Sequence, residues 1–499
     1  MNKIGFDTDL YLNNQVKKLN ERLAKFERLY LEFGGKLFAD NHAKRVLPGF
    51  RPTAKIELLK QMGKIDLFYC VSAEDLVRGK IRVDSGLSYD LQTIKDIKDI
   101  TGLDIPVTAV VITLYKGQPA ADQLSRKLKN LGFKVYFQNV IEGYPKDTEK
   151  VLKGYENQPY IKTKNKLVVV TGAGGGSGKM ALCLSQIHAE KTRGVNSGFA
   201  KFETFPVWDL PADHPVNVAY EAATADLGDF NDVDPFHSKE YRVSATNYNR
   251  DIENFTILKD ILVSITGEKF PFGYKSPTDM GVNMISTGIT DDDFCKQAAR
   301  EEIIRRYFNY SVGKTEGKET LKTLDRINEI LIKSGLKPED REVVKHARQA
   351  EKDAPETGKG FKNIYCGSAI QLKDGRIVTG KNSPTFHSES AAVINALKVL
   401  AGINDDIDLI SPKVLAEIAK MREKMLDHKS PSLAVNETLI VLASCATDNK
   451  YAKDALQKVN DLRDCELHST FIISSADAIG LRNLGINYTS DTKIASIDY

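Results

Sequence analysis

Residues Leu167–Ala181 read LVVVTGAGGGSGKMA. The apolar, β-branched start predicts a strand buried on both faces, and the residues after the glycines predict a helix over 179–191. Between them, Gly172, Gly174, Gly175, Gly176 and Gly178 surround Ser177. Glycine lets backbone amides turn toward an anion without a Cβ in the way. The helix N-terminus then adds unpaired donors and a partial positive charge. Lys179 supplies a point charge in the first helical turn. Gly172, Gly174, Gly175, Gly176, Ser177, Gly178 and Lys179 are therefore the candidate cofactor-binding set, and the expected partner is a small phosphate-bearing ligand.

ATP or another nucleotide comes first among such ligands. The Gly178–Lys179 pair meets the end of a GxxxxGK[ST] loop, but Ala173 replaces its first glycine and Met180 replaces the hydroxyl residue that would hold Mg²⁺. Anion binding survives those departures better than Mg²⁺-dependent hydrolysis does. A carboxylate partner could be Asp209 in FPVWDLP, although Pro206 and Pro211 beside it favour a loop or edge position. NAD(P) comes second: Thr171, Gly172, Gly176 and Gly178 fit a TGxxxGxG loop. The YxxxK pairs Tyr160/Lys164 and Tyr310/Lys314 are poorly placed for such a dehydrogenase, the first preceding the loop and the second carrying Gly313 within a poor helix. A strict GxGxxG fails because Ser177 or Lys179 falls on the third glycine.

Outward from the loop, Ile65–Val71, Val107–Leu114 and 134–140 read as strands, and 118–131 as a helix. Apolar spacings of three and four over 14–33 predict a first helix stopped by Gly34–Gly35. Strands alternating with helices imply a doubly wound parallel sheet, placed at 1–215 as a Rossmann-like or P-loop-like domain. Residues 216–355 read as a mostly helical middle region, opening with an exposed acidic loop over 221–240. Residues 356–499 form a C-terminal α/β domain. It starts with a hairpin over 364–379, followed by helices near 388–402, 411–428 and 450–462. The run 437–444 fits helix or strand, and strands follow at 467–474 and 486–489.

Within this last domain, His387-Ser388-Glu389 opens a helix after the hairpin, which resembles the H-x-E start of the cytidine-deaminase fold. The companion PCxxC is missing, so no metal site is expected, and Ser388 capping the helix is the plainer role. Cys465 and His468 suggest a thiol–imidazole pair, but at strand spacing they face opposite sides unless the chain bends. Asp209, Glu389, Cys465 and His468 are the weak catalytic candidates. The basic residues of 36–55 (Lys36, His42, Lys44, Arg45, Arg51 and Lys55) could close over an anion at the glycine loop.

Composition limits the function classes. The chain has 499 residues, with 70 Lys+Arg against 67 Asp+Glu, a net charge of +3. That is too weak a field to serve as a footprint for nucleic acid or an anionic membrane. No apolar run approaches a membrane span, and MNKIGFDTDLYLNNQ has no secretory pattern. The six cysteines are widely spaced, so reduced thiols and a cytoplasmic location are expected.

Five segments, GFDTDLYLNNQ, FGGKLFADNHAKRVLPGF, VTGAGGGSGKMALCLSQ, CELHST and LRNLGIN, together resemble a bacterial family of functionally uncharacterised proteins. The likeness runs along essentially the whole chain. It implies an N-terminal nucleotide-binding-like domain and a C-terminal domain similar to the cytidine-deaminase fold. Some members carry the label ATP-dependent peptidase, for which this sequence offers neither HExxH nor GxSxG. The reading is a nucleotide- or phosphate-binding enzyme acting at a phosphate. The alternatives are an NAD(P)-dependent oxidoreductase and a non-catalytic homo-oligomeric scaffold.

Overall fold

The computed structural model describes residues 4–35, 37–38, 40–81, 86–425 and 430–495. Six strands form one sheet: β1 (Arg28–Phe33), β2 (Ile65–Ser72), β3 (Val107–Tyr115), β4 (Val135–Asn139), β5 (Leu167–Gly172) and β6 (Ser197–Phe202). Their order is β4-β3-β2-β5-β1-β6, and every pairing is parallel. The chain steps outward from β2 to β3 and β4, then returns to the other side of β2 with β5. The crevice between the carboxyl ends of β2 and β5 is thus where the winding reverses, the position at which open parallel sheets bind ligands.

The first helix corrects the expectation for 14–33. It spans Thr8–Leu23, with the Asp7 carboxylate accepting from the amides of Asp9 and Leu10, and the chain then enters β1. The run RLYLEF keeps an apolar side chain on both faces because β1 lies between β5 and β6, and Leu29, Tyr30, Leu31 and Phe33 are fully buried. A short continuous apolar run fits helix or strand equally, and burial on two faces decides it. Tyr30, Phe68, Val168 and Val170 carry one core against helices Thr148–Glu156, Lys179–Lys191 and Asn249–Thr266.

Residues 221–240 are likewise not an exposed loop. They contain the end of helix Pro215–Ala223, strand β7 (Asn231–Val233), which pairs with β8 (Thr246–Tyr248), and most of helix Pro235–Tyr241. The Asp234 carboxylate caps that second helix, so part of the acidity serves local structure. Gly313 also sits inside a regular helix, Asp292–Thr315. A Cβ there would lie 2.6 Å from Cγ of Glu319, so glycine makes room for the side chain folded over it.

Contacts divide the described chain into two compact units, one of 4–224 and 229–299, the other of 225–228 and 300–495. The second holds a sheet of β9 (Gly367–Gln371), β10 (Ile377–Lys381), β11 (Glu466–Ser469) and β12 (Asn487–Ser490) in the order β10-β9-β11-β12. The hairpin β9–β10 forms as expected, around Asp374–Gly375. Helix Ser388–Ala401 lies so close to β10 that a Cβ on Gly380 would stand 2.2 Å from the Ala392 amide nitrogen. The ambiguous run near 437–444 is helical, within Val435–Cys445. Helix Pro412–Lys424 covers the start of the 411–428 expectation, and 426–428 lie outside the described residues. The 450–462 segment splits into helix Lys450–Leu456 and a 3₁₀ turn, Val459–Leu462. The strand expected over 467–474 stops at Ser469. No described helix is long and apolar enough to cross a membrane.

Candidate functional site

The glycine loop joins β5 to helix Lys179–Lys191 beside the β2/β5 crevice. Packing accounts for three of its glycines. A Cβ on Gly172 would meet the Cys70 carbonyl at 2.5 Å, one on Gly174 the Tyr89 hydroxyl at 2.6 Å, and one on Gly178 the Thr113 side chain at 2.9 Å. Gly178 also has φ 79°, the left-handed region, where it precedes the helix with no side-chain cap. Gly175 and Gly176 have no neighbour within 4 Å of a Cβ and form the open apex.

That apex presents backbone donors. Among the described residues, the amides of Gly174, Gly175, Gly176 and Gly178 have no acceptor, whereas Ala173 donates to Cys70. The Ser177 carbonyl accepts from the Thr113 hydroxyl at 2.9 Å, which fixes the loop against β3, while the buried Ser177 hydroxyl has no partner among the described residues. Lys179 folds back, its Nζ 3.4 Å from the Gly174 carbonyl. The result is a row of free amides at a helix N-terminus with a lysine at its edge, an arrangement suited to phosphate oxygens.

A second group of charges lies along the same edge of the sheet. Glu32 of β1 pairs in register with Lys201 of β6, and the Lys201 ammonium lies 2.5 Å from Asp251 and 3.3 Å from Glu203. Burial pushes the Glu203 carboxyl up to about 7, the nearby Lys201 opposing and Asp251 and Glu32 adding to the rise. Burial also lifts the Cys70 thiol to about 12, with Lys179 pulling down and Glu32 pushing up. Glu32 therefore acts on the Lys201 group on one side and on the thiols below the glycine loop on the other. Its Oε2 is buried without a partner among the described residues.

The remaining candidates are placed elsewhere. Asp209 is exposed and accepts from Ser286 at 2.5 Å, outside the strands of the sheet. Tyr160 donates to Glu190, and Tyr310 to Asp226. The basic segment 36–55 does not stand free to close over an anion: Lys55 is buried against Asp40 at 3.0 Å, and Arg51 pairs with Asp9 and Glu57. The His42 ring packs edge-on against Phe205 and Tyr220, and Lys36 lies outside the described residues.

Cys465 and His468 are on opposite faces of β11. Cys465 joins the apolar core, its thiol lifted by burial to about 11, whereas His468 bonds Thr489 at 2.9 Å and packs its ring at a tilt against Phe308. His387 is itself the residue before helix Ser388–Ala401, and Ser388 bonds Ser368 instead of capping the helix. His387 Nδ1 lies 2.7 Å from Asp477, whose carboxylate also accepts from Ser474 and from the Val435 amide. Glu389, buried nearby, accepts from Ser469 at 2.5 Å, and burial raises its carboxyl with the Asp477 charge adding. His387, Glu389 and Asp477 are close enough to hold a metal ion. Yet helices starting at Ser388, Val435 and Ser475 point their positive ends here, which already balances the carboxylates.

The family described as Domain of unknown function DUF1846 matches in two parts, N-terminal over residues 4–335 and C-terminal over 339–498. The chain belongs to the DUF1846 family. It is 46% identical over 498 residues to a UPF0371 protein of Clostridium tetani (strain Massachusetts / E88), covering 99% of this chain and 98% of the relative. A UPF0371 protein of Clostridium botulinum (strain Alaska E43 / Type E3) is 46% identical over the same extent, and one of the strain Kyoto / Type A2 is 45% identical.

Two groups in this DUF1846 chain have almost no signature in the sequence. Asp477 stands 90 residues from His387, and its only signal is the Ser474-x-x-Asp477 capping pattern. The Lys201, Glu203 and Asp251 group has no spacing signature, because its members meet only through the parallel sheet and helix Asn249–Thr266.

Proposed function

We propose that this chain is a cytoplasmic enzyme that binds a nucleotide or another small phosphate-bearing ligand on the Gly172–Lys179 loop. The observation that carries the reading is the row of acceptorless amides at Gly174, Gly175, Gly176 and Gly178, set at the start of a 13-residue helix beside the sheet's reversal point. Lys179 would leave the Gly174 carbonyl for the outer phosphate. NAD(P) dehydrogenase chemistry draws less support, because Tyr160 is bonded to Glu190 at the far end of helix Lys179–Lys191 and Tyr310 is bonded to Asp226. A hairpin followed by helix Ser388–Ala401 on its sheet supports kinship of the second unit with the cytidine-deaminase fold, at the level of architecture.

Thermal unfolding with ATP, GTP, NAD(P) and ribose 5-phosphate tests the reading. A ligand at 100 times its Kd adds about 2.7 kcal/mol of stability. At least one phosphate-bearing ligand is expected to give such a shift, and Lys179→Ala is expected to reduce it. No shift with any of them, or an undiminished shift in the variant, would leave the non-catalytic scaffold as the better account.

A further inference from the structure

A cavity of about 50 Å³ opens at the carboxyl end of β6, lined by Lys201, Glu203, Trp208, Asn247, Asp251 and Thr278 among others. Strands lie about 4.8 Å apart, so β6 is roughly 10 Å from β5 and its glycine loop, with β1 between them. Both features sit on the same edge of one sheet, and the Glu32 charge acts on Glu203 in the cavity and on Cys70, whose carbonyl accepts from the Ala173 amide of the loop. That separation suits a ligand whose phosphate is on the loop and whose other end reaches the cavity.

The wall chemistry narrows what that end is. An anionic group would meet Glu203, Asp251 and, behind them, Glu32. A cationic group would meet Lys201, held charged because Asp251 and Glu203 outweigh the cost of its burial. Carboxylate acceptors beside an ammonium donor suit neutral hydroxyls, each of which both donates and accepts. The other polar lining is already committed: Asn247 donates to Thr278, Thr278 to Asp234, and Trp208 Nε1 to the Asn283 carbonyl. Trp208 adds an apolar ring face of the kind that C–H groups cover. The space holds roughly three or four water-sized groups, enough for a short hydroxyl-bearing end and too little for a nucleobase.

We propose that this cavity binds the hydroxyl-bearing end of a sugar phosphate or polyol phosphate, with Glu203, Lys201 and Asp251 as its hydrogen-bonding groups. The proposal rests on the glycine-loop reading for the phosphate alone; the cavity is argued from its own walls. It makes the phosphate a handle and moves the distinguishing contacts to β6.

Trp208 is the sole tryptophan of the chain, so its fluorescence reports this cavity directly. The full chain would be titrated with ribose 5-phosphate, ribose and inorganic phosphate, in the wild type, Lys179→Ala, Glu203→Gln and Glu203→Asp. Ribose 5-phosphate is expected to change Trp208 emission saturably. At about pH 8.5, where the Glu203 carboxyl is ionised, Glu203→Gln is expected to weaken that binding about tenfold, the value of a hydrogen bond to a charged group, and Glu203→Asp less. Inorganic phosphate affinity, measured by calorimetry, is expected to be equal in the wild type and Glu203→Gln. Circular dichroism checks that each variant folds, and Glu203→Asp carries the test if Glu203→Gln does not. Ribose 5-phosphate binding that leaves Trp208 emission unchanged, or that is as tight in the Glu203 variants, overturns the proposal, as does no response to either sugar. If Lys179→Ala binds ribose 5-phosphate normally while the Glu203 variants do not, the cavity stands and the glycine-loop reading falls.

Discussion

His468 shows how one residue's surroundings decide between a nucleophile partner and a structural group. On β11 it is fully buried, Nδ1 bonded to Thr489, Nε2 3.5 Å from Asp491, the ring 4.6 Å from Phe308. Burial holds its imidazole down to about 4; the nearby Asp491 carboxylate opposes this, and the Arg341 and Arg348 charges add to it. The unfolded imidazole titrates near 6.5. Between those values the unfolded chain binds a proton that the folded chain refuses, so stability is full above 6.5 and is lost as pH falls toward 4. The expected loss across that window is on the order of 3 kcal/mol. Urea unfolding of the wild type at pH 7 and pH 4, beside His468→Gln, measures it. The wild type should lose clearly more stability than the variant; parallel losses would mean the imidazole is not held neutral.

At the scale of elements, strand–loop–helix context makes the glycine loop legible in the sequence itself. Burial on both faces explains why Leu167–Gly172 and Val107–Tyr115 read clearly as strands. It also explains why β1 reads as the end of a helix: six residues, four of them apolar, have no period to measure. Sequence does not separate glycine kept for packing from glycine kept for a ligand. Gly178 has a left-handed backbone and Thr113 against it, whereas Gly175 faces open space. Gly178→Ala is therefore expected to destabilise the fold by about 1–2 kcal/mol through the backbone alone, more if Thr113 cannot yield. Gly175→Ala should change stability by less than about 0.5 kcal/mol. It should still weaken phosphate binding if the apex is the cradle. Chemical denaturation and calorimetry on the two variants separate the roles. Equal binding by Gly175→Ala and the wild type would count against an anion on the apex.

At the scale of the whole molecule, the cavity explains why the site is only half legible in the sequence. Its walls span positions 201 to 283, and no local motif joins them; the parallel order β5-β1-β6 does. The net charge of +3 bears on binding in a specific way. With charges nearly balanced, the proposed recognition would come from a row of local amides and one lysine, not from a field across the surface. Such contacts lie well within a Debye length of about 8 Å at physiological salt, so screening weakens them little. Ribose 5-phosphate affinity, read at Trp208, is expected to fall by less than about tenfold between roughly 0.05 and 0.5 M salt. A protein that tracks several phosphates would lose about a thousandfold or more over a smaller range. Fluorescence anisotropy with single-stranded DNA under the same conditions should show no binding at physiological salt. Steep salt dependence for the sugar phosphate, or firm DNA binding, would mean that a basic surface and not the glycine loop holds the anion.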